Sequence, residues 1–251
     1  MKKTFIFFAA TAVVMLTGCT GLSETLLPSD ITVDELQSRK DSATDPEGRF
    51  STASTYVMRQ TVSDNNLLGS MSSKLIELKY KRPDKIKCTI SEDGNNISGY
   101  IINGDTAWNI DYKSKSVTPI LPQNMVMIKT LTKLNTPATR YKDVFKNVDI
   151  FKVNNSDGVF YKLKCSNNPN NIFEIYIDAA SFLTSRMKTS FKLPTGTFKS
   201  DSTMKSYTLY EGIRIPDESI SVSGDEEQKQ KVIYYKLNVP IDDEEFNPPV
   251  L

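Results

Sequence analysis

NISGYIINGDTAWNIDYKSKSVTPI, residues 96–120, holds the pattern that decides the fold. Trp108 and Ile110 alternate with polar residues, which is the period of two expected of a half-buried β-strand. Asn103 and Gly104 lie between this strand and the one before it, and Asn-Gly is a preferred pair for a two-residue type I′ turn because both positions need a positive φ. The stretch therefore predicts a β-hairpin.

The same period of two runs from Phe50 through most of the chain. Tyr56 and Met58 share one face of a predicted strand, as do Ile76 and Leu78 of the next. The later segments interpreted as single strands are DIFKVN, VFYKLKC, IFEIYID, FLTSRMKTSF, MKSYTLYEGIRIP, SISVS and KVIYYKLNV. Short turns join these segments, so we expect about eleven antiparallel strands. A sheet of that size must curl, and a curled sheet has a concave face.

Two helices are predicted. Thr32 and Glu35 have the spacing of a capping box, and Val33 and Leu36 begin an apolar stripe, which predicts a helix over residues 33–43. Pro122 suits the first turn of a second helix, residues 123–134, where the strand pattern is interrupted. The apolar stripe of this second helix consists of Met125, Met127, Ile128, Leu131 and Leu134. Both helices can cover an apolar concave face of the sheet.

The N-terminus has the pattern of a secretory signal. A short basic start precedes an apolar run, Thr4–Leu16, that is too short for a membrane span of roughly 20 residues. Leu16-Thr17-Gly18-Cys19 resembles the bacterial lipobox, in which the cysteine becomes the acylated first residue; an ordinary signal peptide with a chance cysteine is the alternative. We expect a signal peptide over residues 1–18, a lipidated N-terminus and tether over residues 19–30, and one lipid-binding domain over residues 31–251.

Location follows from the same segment. Acyl chains on Cys19, palmitate among them, would bind the protein to a membrane. By resemblance to proteobacterial sorting, Thr20 in place of Asp indicates the outer membrane, with the protein facing the periplasm; the inner membrane is the alternative.

Composition limits the chemistry. Histidine is absent, which removes the commonest general base and the commonest metal ligand. We expect no enzyme activity, metal or cofactor. The charges balance, 31 basic against 30 acidic, so net charge gives no argument for nucleic acid as a partner. Cys88 and Cys165 both face an interior in the strand pattern, either as two unpaired thiols or as a disulfide.

Three stretches resemble the bacterial outer-membrane lipoprotein carrier and receptor family (LolA/LolB-like), and more closely its lipoprotein-sorting branch. They are DPEGRFSTASTYVMRQTV, YKRPDKIKCTI with NGDTAWNIDYKSKSVTPI, and YKLNVPIDDEEFNPP, which together span residues 45–248. The resemblance implies an incomplete, half-open antiparallel β-barrel of about eleven strands with a helical lid and an apolar cavity for acyl chains. Residues 109–112 depart from the Tyr-Asp-Pro of many relatives.

From this resemblance we expect a protein that binds acyl chains of lipoproteins or phospholipids and takes part in their transfer to the outer membrane, with a carrier or receptor protein as a further partner. The expected cavity residues, each of which has ordinary core packing as its alternative, are Tyr80, Ile101, Trp108 and Ile110. In the lid helix, acyl chains would displace Met125, Met127, Ile128 and Leu131. A periplasmic interaction or sensory lipoprotein that binds a regulatory protein is the alternative function, and a histidine-free hydrolase is a third.

Two charged runs have open interpretations. IDDEEF, residues 241–246, is either an acidic contact for a partner or a solvated tail. KYKRPDK, residues 79–85, either meets lipid headgroups or forms an ordinary outer strand face.

Overall fold

The structure is a computed structural model and describes residues 24–65, 71–136, 139–193 and 196–251. The predicted signal peptide and Cys19 lie outside these described residues, so the lipobox stays a prediction. Within the described ranges, none of the helices has both the length and the apolar character needed to cross a bilayer.

All the described strands join one antiparallel sheet. They are β1 Thr25–Pro28, β2 Thr55–Asn65, β3 Met71–Lys81, β4 Lys85–Glu92, β5 Asn95–Asn103, β6 Thr106–Asp111, β7 Ser116–Pro119, β8 Asn147–Asn155, β9 Gly158–Asn168, β10 Asn171–Asp178, β11 Thr184–Leu193, β12 Gly196–Tyr210, β13 Ile213–Ser223 and β14 Glu226–Leu237. Their order is β1-β8-β9-β10-β11-β12-β13-β14-β2-β3-β4-β5-β6-β7. The sheet is open, with β1 and β7 as its edges.

The sheet has fourteen strands, more than the eleven expected. The segment at residues 25–28, predicted as part of the tether, pairs with β8 as β1. The segment predicted as one strand over residues 204–216 is two strands, because Glu211 and Gly212 form a turn between β12 and β13 with φ of 48° and 86°. Both positions of such a turn need a positive φ, which Gly212 adopts without a steric penalty.

The predicted hairpin at residues 96–120 is present, but its turn is shifted by one residue. Asn103 pairs with Thr106, so the turn residues are Gly104 and Asp105. Gly104 alone of this pair has a positive φ, 59°. A glycine at the first central position with a positive φ is typical of a type II′ turn.

The helices are α1 Val33–Thr44, α2 Arg49–Thr52, α3 Pro122–Leu134 and α4 Tyr141–Val144, and a 3-10 turn spans Asp243–Phe246. The two predicted helices are confirmed as α1 and α3. The side chain of Thr32 accepts a hydrogen bond from the Glu35 backbone N–H, and Pro122 occupies the first turn of α3. The two one-turn helices α2 and α4 were not predicted.

The strand register defines two faces, which we call inner and outer. One continuous row of directly paired residues on the inner face is Ala107, Ile102, Ile86, Tyr80, Tyr56 and Leu237. The matching row on the outer face is Trp108, Ile101, Lys87, Lys79, Val57 and Lys236. The residues of each row point to the same side because side chains alternate along a strand.

Three hydrophobic clusters form the core. The first lies on the inner face of β2–β6 and β12–β14 and includes Ile86 and Ile102. The second lies under α1 and α4, against β8–β11, and includes Leu36 and Phe173. The third lies on the outer face and includes Ile101. The inner face therefore carries two separate clusters, and its helices are placed over them.

Candidate functional site

Helix α3 joins the two inner clusters. Ile128 is buried in the first cluster, with Met125 packed beside it. Met127 is buried in the second cluster, where Leu131 also packs. The four predicted lid residues therefore all face the inner side of the sheet. An unbranched methionine side chain adapts to irregular space. Helix α3 is therefore suited to packing against an apolar surface whose shape changes.

Among the described residues, the polar contacts between α3 and other elements lie at its edge. The Lys129 ammonium lies 3.3 Å from the Asp84 carboxylate, in the β3–β4 turn, and 3.9 Å from Asp105, in the β5–β6 turn. The Asp105 side chain is fully exposed, so this second pair is weak. Val126 lies on the opposite side of the helix and is half exposed. The helix is thus held mainly by its apolar side and by one ion pair.

A small, partly open cavity lies where the two inner clusters meet. Its volume is about 60 Å³, and it is lined by α1, the C-terminal end of α3 and β10–β13. Apolar lining comes from Ile175, Met187 and Met204, and polar lining from Lys40 and Tyr207. Ligand pockets usually exceed about 300 Å³. An acyl chain therefore does not fit this closed form unless α3 moves.

The buried side of α1 differs from the predicted apolar stripe. Only its first buried residue, Leu36, is apolar, and the others are Gln37, Lys40 and Thr44. The Gln37 side chain accepts a hydrogen bond from the Tyr141 backbone N–H at 3.3 Å. A lysine in a helix sequence normally indicates an exposed face, so this polar interior could not be predicted from the residue types alone.

The four predicted cavity residues do not come together. Tyr80 lies on the inner face, where its ring stacks on Tyr56 at a centroid distance of 5.1 Å. Ile101, Trp108 and Ile110 lie on the outer face in the third cluster. The hypothesis that all four line one cavity is corrected by the alternation of side chains along β5 and β6: Ile102, not Ile101, faces inward.

Aromatic residues beyond the predicted ones line the inner face. The ring of Tyr56 also stacks on Tyr235, at 5.5 Å, and Tyr210 packs against Tyr235 at 6.3 Å. Burial raises the pKa of Tyr56 far above its usual range, so its hydroxyl stays neutral. The period-two alternation of β2 and β14 was the available signal in the sequence, because it places these rings on the same face as Tyr80.

The C-terminal residues cover the third cluster. We call residues 239–246 the C-terminal strap. Its Phe246 is 0% exposed and Ile241 is buried. The strap thereby shields Trp108, Ile101 and Ile110 from solvent on the outer face. Those three residues are accordingly placed in a packed layer beneath the strap.

The acidic run of the strap binds the chain's own lysines. Asp243 lies 2.8 Å from Lys81 and 2.9 Å from Lys85, and Glu245 pairs with Lys79 and Lys87. The interpretation of IDDEEF as a solvated tail is therefore corrected for Asp243 and Glu245, whose carboxylates are paired, while Asp242 and Glu244 are exposed and a partner contact through them stays a prediction. The lysines of the KYKRPDK stretch do lie on the outer strand face.

These ion pairs lower the pKa values of the two acidic side chains. Hydrogen bonds from Lys81 and Lys85 lower the pKa of Asp243. Partial burial alone would raise the pKa of Glu245. The hydrogen bond and charge of Lys79, together with the charge of Lys87, lower this pKa by more than burial raises it, so it lies below its ordinary value of 4.5. Both carboxylates are ionised at neutral pH.

Both described cysteines are free and buried. Cys88 belongs to the first cluster and Cys165 to the second, so the alternative of a disulfide between them is not what the structure contains. Burial raises the pKa of each thiol to about 12. Thiols with such a pKa are not nucleophiles near neutral pH. In the described part of the chain, no cluster of three or more Cys, Asp or Glu side chains could hold a metal ion.

No family model and no curated protein matches the chain. Solved structures match over nearly its whole described length. A LolA superfamily protein from Nitrosomonas europaea has a TM-score of 0.60 at 9% identity, covering 87% of this chain and 98% of that chain. A DUF1329 family protein from Desulfovibrio piger has a TM-score of 0.60 at 12% identity, covering 86% and 97%.

A third solved structure is an outer membrane lipoprotein-sorting protein domain from Vibrio parahaemolyticus, with a TM-score of 0.58 at 12% identity, covering 86% of this chain and 97% of that one. Likenesses at such low identity concern the fold. They confirm the predicted fold class: a mainly β, LolA-like structure whose open antiparallel sheet is covered by helices.

Proposed function

We propose that the protein is a membrane-anchored periplasmic lipoprotein that binds acyl chains on the inner face of its sheet and takes part in sorting or transfer of lipoproteins or lipids to the outer membrane. In the ligand-free form, α3 fills the acyl-chain site. In the loaded form, the chain replaces the apolar side of α3.

The observation that carries the proposal is the division of α3 between two clusters. Met125 and Ile128 pack in one cluster and Met127 and Leu131 in the other, with the cavity next to the C-terminal end of the helix. Movement of this one helix would therefore open an apolar surface that runs across both clusters.

The free energy gained by burying an acyl chain is comparable with the free energy lost when α3 is displaced. Burying Met127 and Ile128 stabilises the closed form by roughly 1.5–3 kcal/mol for each side chain. A twelve-carbon chain with about ten buried methylenes contributes roughly 8 kcal/mol at about 0.8 kcal/mol each. The ligand therefore offsets the loss of these two buried side chains, and the partly buried Met125 and Leu131 bring the two states close enough in energy for exchange. A carrier also needs release, and the returning helix provides a competitor that assists it.

The membrane anchor in the proposal is Cys19. The first strand, β1, begins at Thr25, six residues after Cys19, so an acylated N-terminus would keep the domain close to the bilayer surface. Two or three acyl chains at about 0.8 kcal/mol per methylene make such an anchor effectively permanent. Anchoring would raise the local concentration of the binding site near its acceptor membrane.

The test is lipid extraction from the full chain, produced in a Gram-negative host and purified from its membrane fraction. We expect Cys19 to carry a diacylglyceryl group by intact-mass measurement and the organic extract to contain about one further acyl lipid per chain. A purified protein with no co-extracted lipid, and with no uptake of added dodecanoate, would overturn the acyl-binding function. A stable protein partner in place of lipid would support the alternative of an interaction lipoprotein.

A further inference from the structure

The edge of the sheet formed by β1 carries two exposed leucines. Leu26 is 49% exposed and Leu27 is 45% exposed, and the strand contains no charged residue. Neighbouring side chains of a strand point to opposite faces, but at the edge of a sheet one surface can contact both. Edge strands are usually protected by charged residues or by a covering layer. Because β1 has no charge of its own, a covering layer is expected here.

An apolar groove continues from this edge to the start of α1, and we call it the β1–α1 groove. The apolar side chains that line it are Leu26, Leu27, Ile31, Val33, Ile150 and Phe151. The groove has a volume of about 720 Å³ and is widely open to solvent. A single acyl chain lying in it would stay in contact with water. A broad apolar surface would close the groove more completely.

Two ion pairs lie beside the groove. Lys152 lies 2.8 Å from Asp30, and Lys142 lies 2.6 Å from Asp34. Together these four side chains add no net charge, so they give no preference for an acidic or a basic partner. Attraction between the groove and the surface that covers it must then come mainly from the burial of apolar area.

Strand β1 is held to the rest of the sheet and lies close to the predicted anchor. Glu24, which precedes the strand, lies 2.8 Å from Lys162. The chain from Cys19 to Thr25, six residues further on, spans at most about 20 Å. An acylated Cys19 would therefore bring the β1 edge, rather than the distant β7 edge, next to the bilayer.

We propose that the β1–α1 groove is the surface through which the anchored protein contacts the lipid bilayer, with Leu26 and Leu27 inserted between the head groups. This inference rests on the proposed function, because it takes Cys19 as the anchor, and it adds the orientation of the domain on the membrane. Apolar residues of membrane-surface proteins typically enter the boundary between head groups and acyl chains by about 5–10 Å. Side chains at the edge of a sheet can reach this region while β1 stays paired with β8.

The test places a fluorophore that responds to polarity, nitrobenzoxadiazole, in the groove. The full lipidated chain with Leu27→Cys is labelled at that thiol and reconstituted into phosphatidylcholine vesicles. The buried thiols of Cys88 and Cys165 react slowly, and the same chain without Leu27→Cys gives the background. We expect emission at shorter wavelength than from the unlipidated Cys19→Ser chain in buffer. We also expect quenching by phosphatidylcholine that carries a nitroxide near its head group.

The matched control is a label at Leu209→Cys. Leu209 is 63% exposed on β12, and four strands separate β12 from β1 in the sheet. The emission of this label should be the same in vesicles and in buffer, and the nitroxide lipid should not quench it. Quenching at residue 27 that appears only after anionic phosphatidylglycerol is added would contradict a contact made through apolar side chains.

The outcomes separate this inference from the proposed function. A label at residue 27 that stays in water, in a chain that remains bound to the vesicles and still takes up dodecanoate, would overturn the contact surface and leave the acyl-binding function intact. A chain that carries no diacylglyceryl group and is absent from the vesicle fraction would overturn the anchor and this inference with it. Shielding of residue 27 in buffer that rises with the concentration of the unlipidated chain would assign the groove to a second copy and overturn the contact with the bilayer.

Discussion

The strands β2–β6 carry an apolar cluster on each of their two faces, and each cluster has its own cover. On the inner side the cover is α3, which packs through methionine and branched aliphatic side chains and has one close ion pair, Lys129–Asp84, with the part of the chain that the structure describes. On the outer side it is the strap, which buries Phe246 completely and forms ion pairs with four lysines.

The difference between the two covers indicates different roles. A fully buried aromatic ring surrounded by ion pairs has one good position, so the strap is suited to staying in place. Adaptable side chains with few polar contacts tolerate displacement at lower cost. We therefore interpret the strap as a permanent part of the fold and α3 as the part that moves when a ligand binds.

The largest expected effect is at the strap. Phe246→Ala should lower the free energy of unfolding by about 3–5 kcal/mol, because it removes a completely buried ring and leaves a cavity. Urea denaturation followed by circular dichroism measures it. The control is Val250→Ala, a fully exposed position, which should be neutral. A loss below about 1 kcal/mol would show that the strap is not part of the stable fold.

At α3, Ile128→Ala should have two opposite effects. We expect stability to fall by about 2 kcal/mol, the low end for removing a buried isoleucine. We expect the affinity for dodecanoate to rise by about tenfold or more, because the closed form that competes with the ligand is weakened. Val126→Ala, on the exposed side of the same helix, should change neither quantity. Lower affinity in Ile128→Ala would indicate that α3 is part of the binding surface rather than its competitor.

The ion pair at the edge of α3 should have a smaller effect. Lys129→Met removes the contact with Asp84, and we expect dodecanoate to bind a few-fold faster in stopped-flow measurements because less energy holds the helix closed. The free energy of unfolding should change by about 1 kcal/mol or less. Lys133→Met, at an exposed position of the same helix, is the control. Equal binding rates in all three proteins would show that this ion pair does not help to hold α3 in its closed position.

The smallest expected effect concerns pH. The pKa of Glu245 lies below 4.5 in the folded chain, so its ion pairs stabilise the fold fully above about pH 4.5 and lose that contribution as the pH falls through the folded pKa. Glu245→Gln should therefore be less stable than the unsubstituted protein by up to about 1 kcal/mol near neutral pH. The gap should close in acid.

Thermal melts across the acidic range measure this gap. Glu244→Gln is the matched control, since Glu244 is the exposed neighbour of Glu245 in the same turn. A gap that stays constant with pH would mean that Glu245 acts through packing and not through its charge.

Local signals in the sequence were sufficient for the two long helices. The capping residue Thr32 and the proline at residue 122 mark their starts, and these effects act within one turn of helix. The mainly β class also followed from period-two alternation. The short strand β1 was missed because four residues give too little pattern to distinguish a strand from a tether.

The placement of the site required long-range information. Ile101 and Ile102 are adjacent and both buried, so alternation alone does not tell which one faces the inner side. The strap was missed because an acidic run is usually solvated, and its lysine partners lie about 160 positions earlier in the chain. The buried Lys40 contradicts the usual exposure of lysine, and only the packing of α1 against the sheet reveals it.

The most direct test of the moving helix is thiol labelling of Ile128→Cys in the chain with Cys19→Ser. Cys88 and Cys165, both buried with a pKa raised to about 12, react slowly, and their labelling in the same chain without Ile128→Cys gives the background. With saturating dodecanoate, we expect labelling at residue 128, above that background, to become at least about tenfold faster, as expected for a side chain released by local opening. A labelling rate at residue 128 that is unchanged or slower while dodecanoate is bound would contradict the displacement of α3.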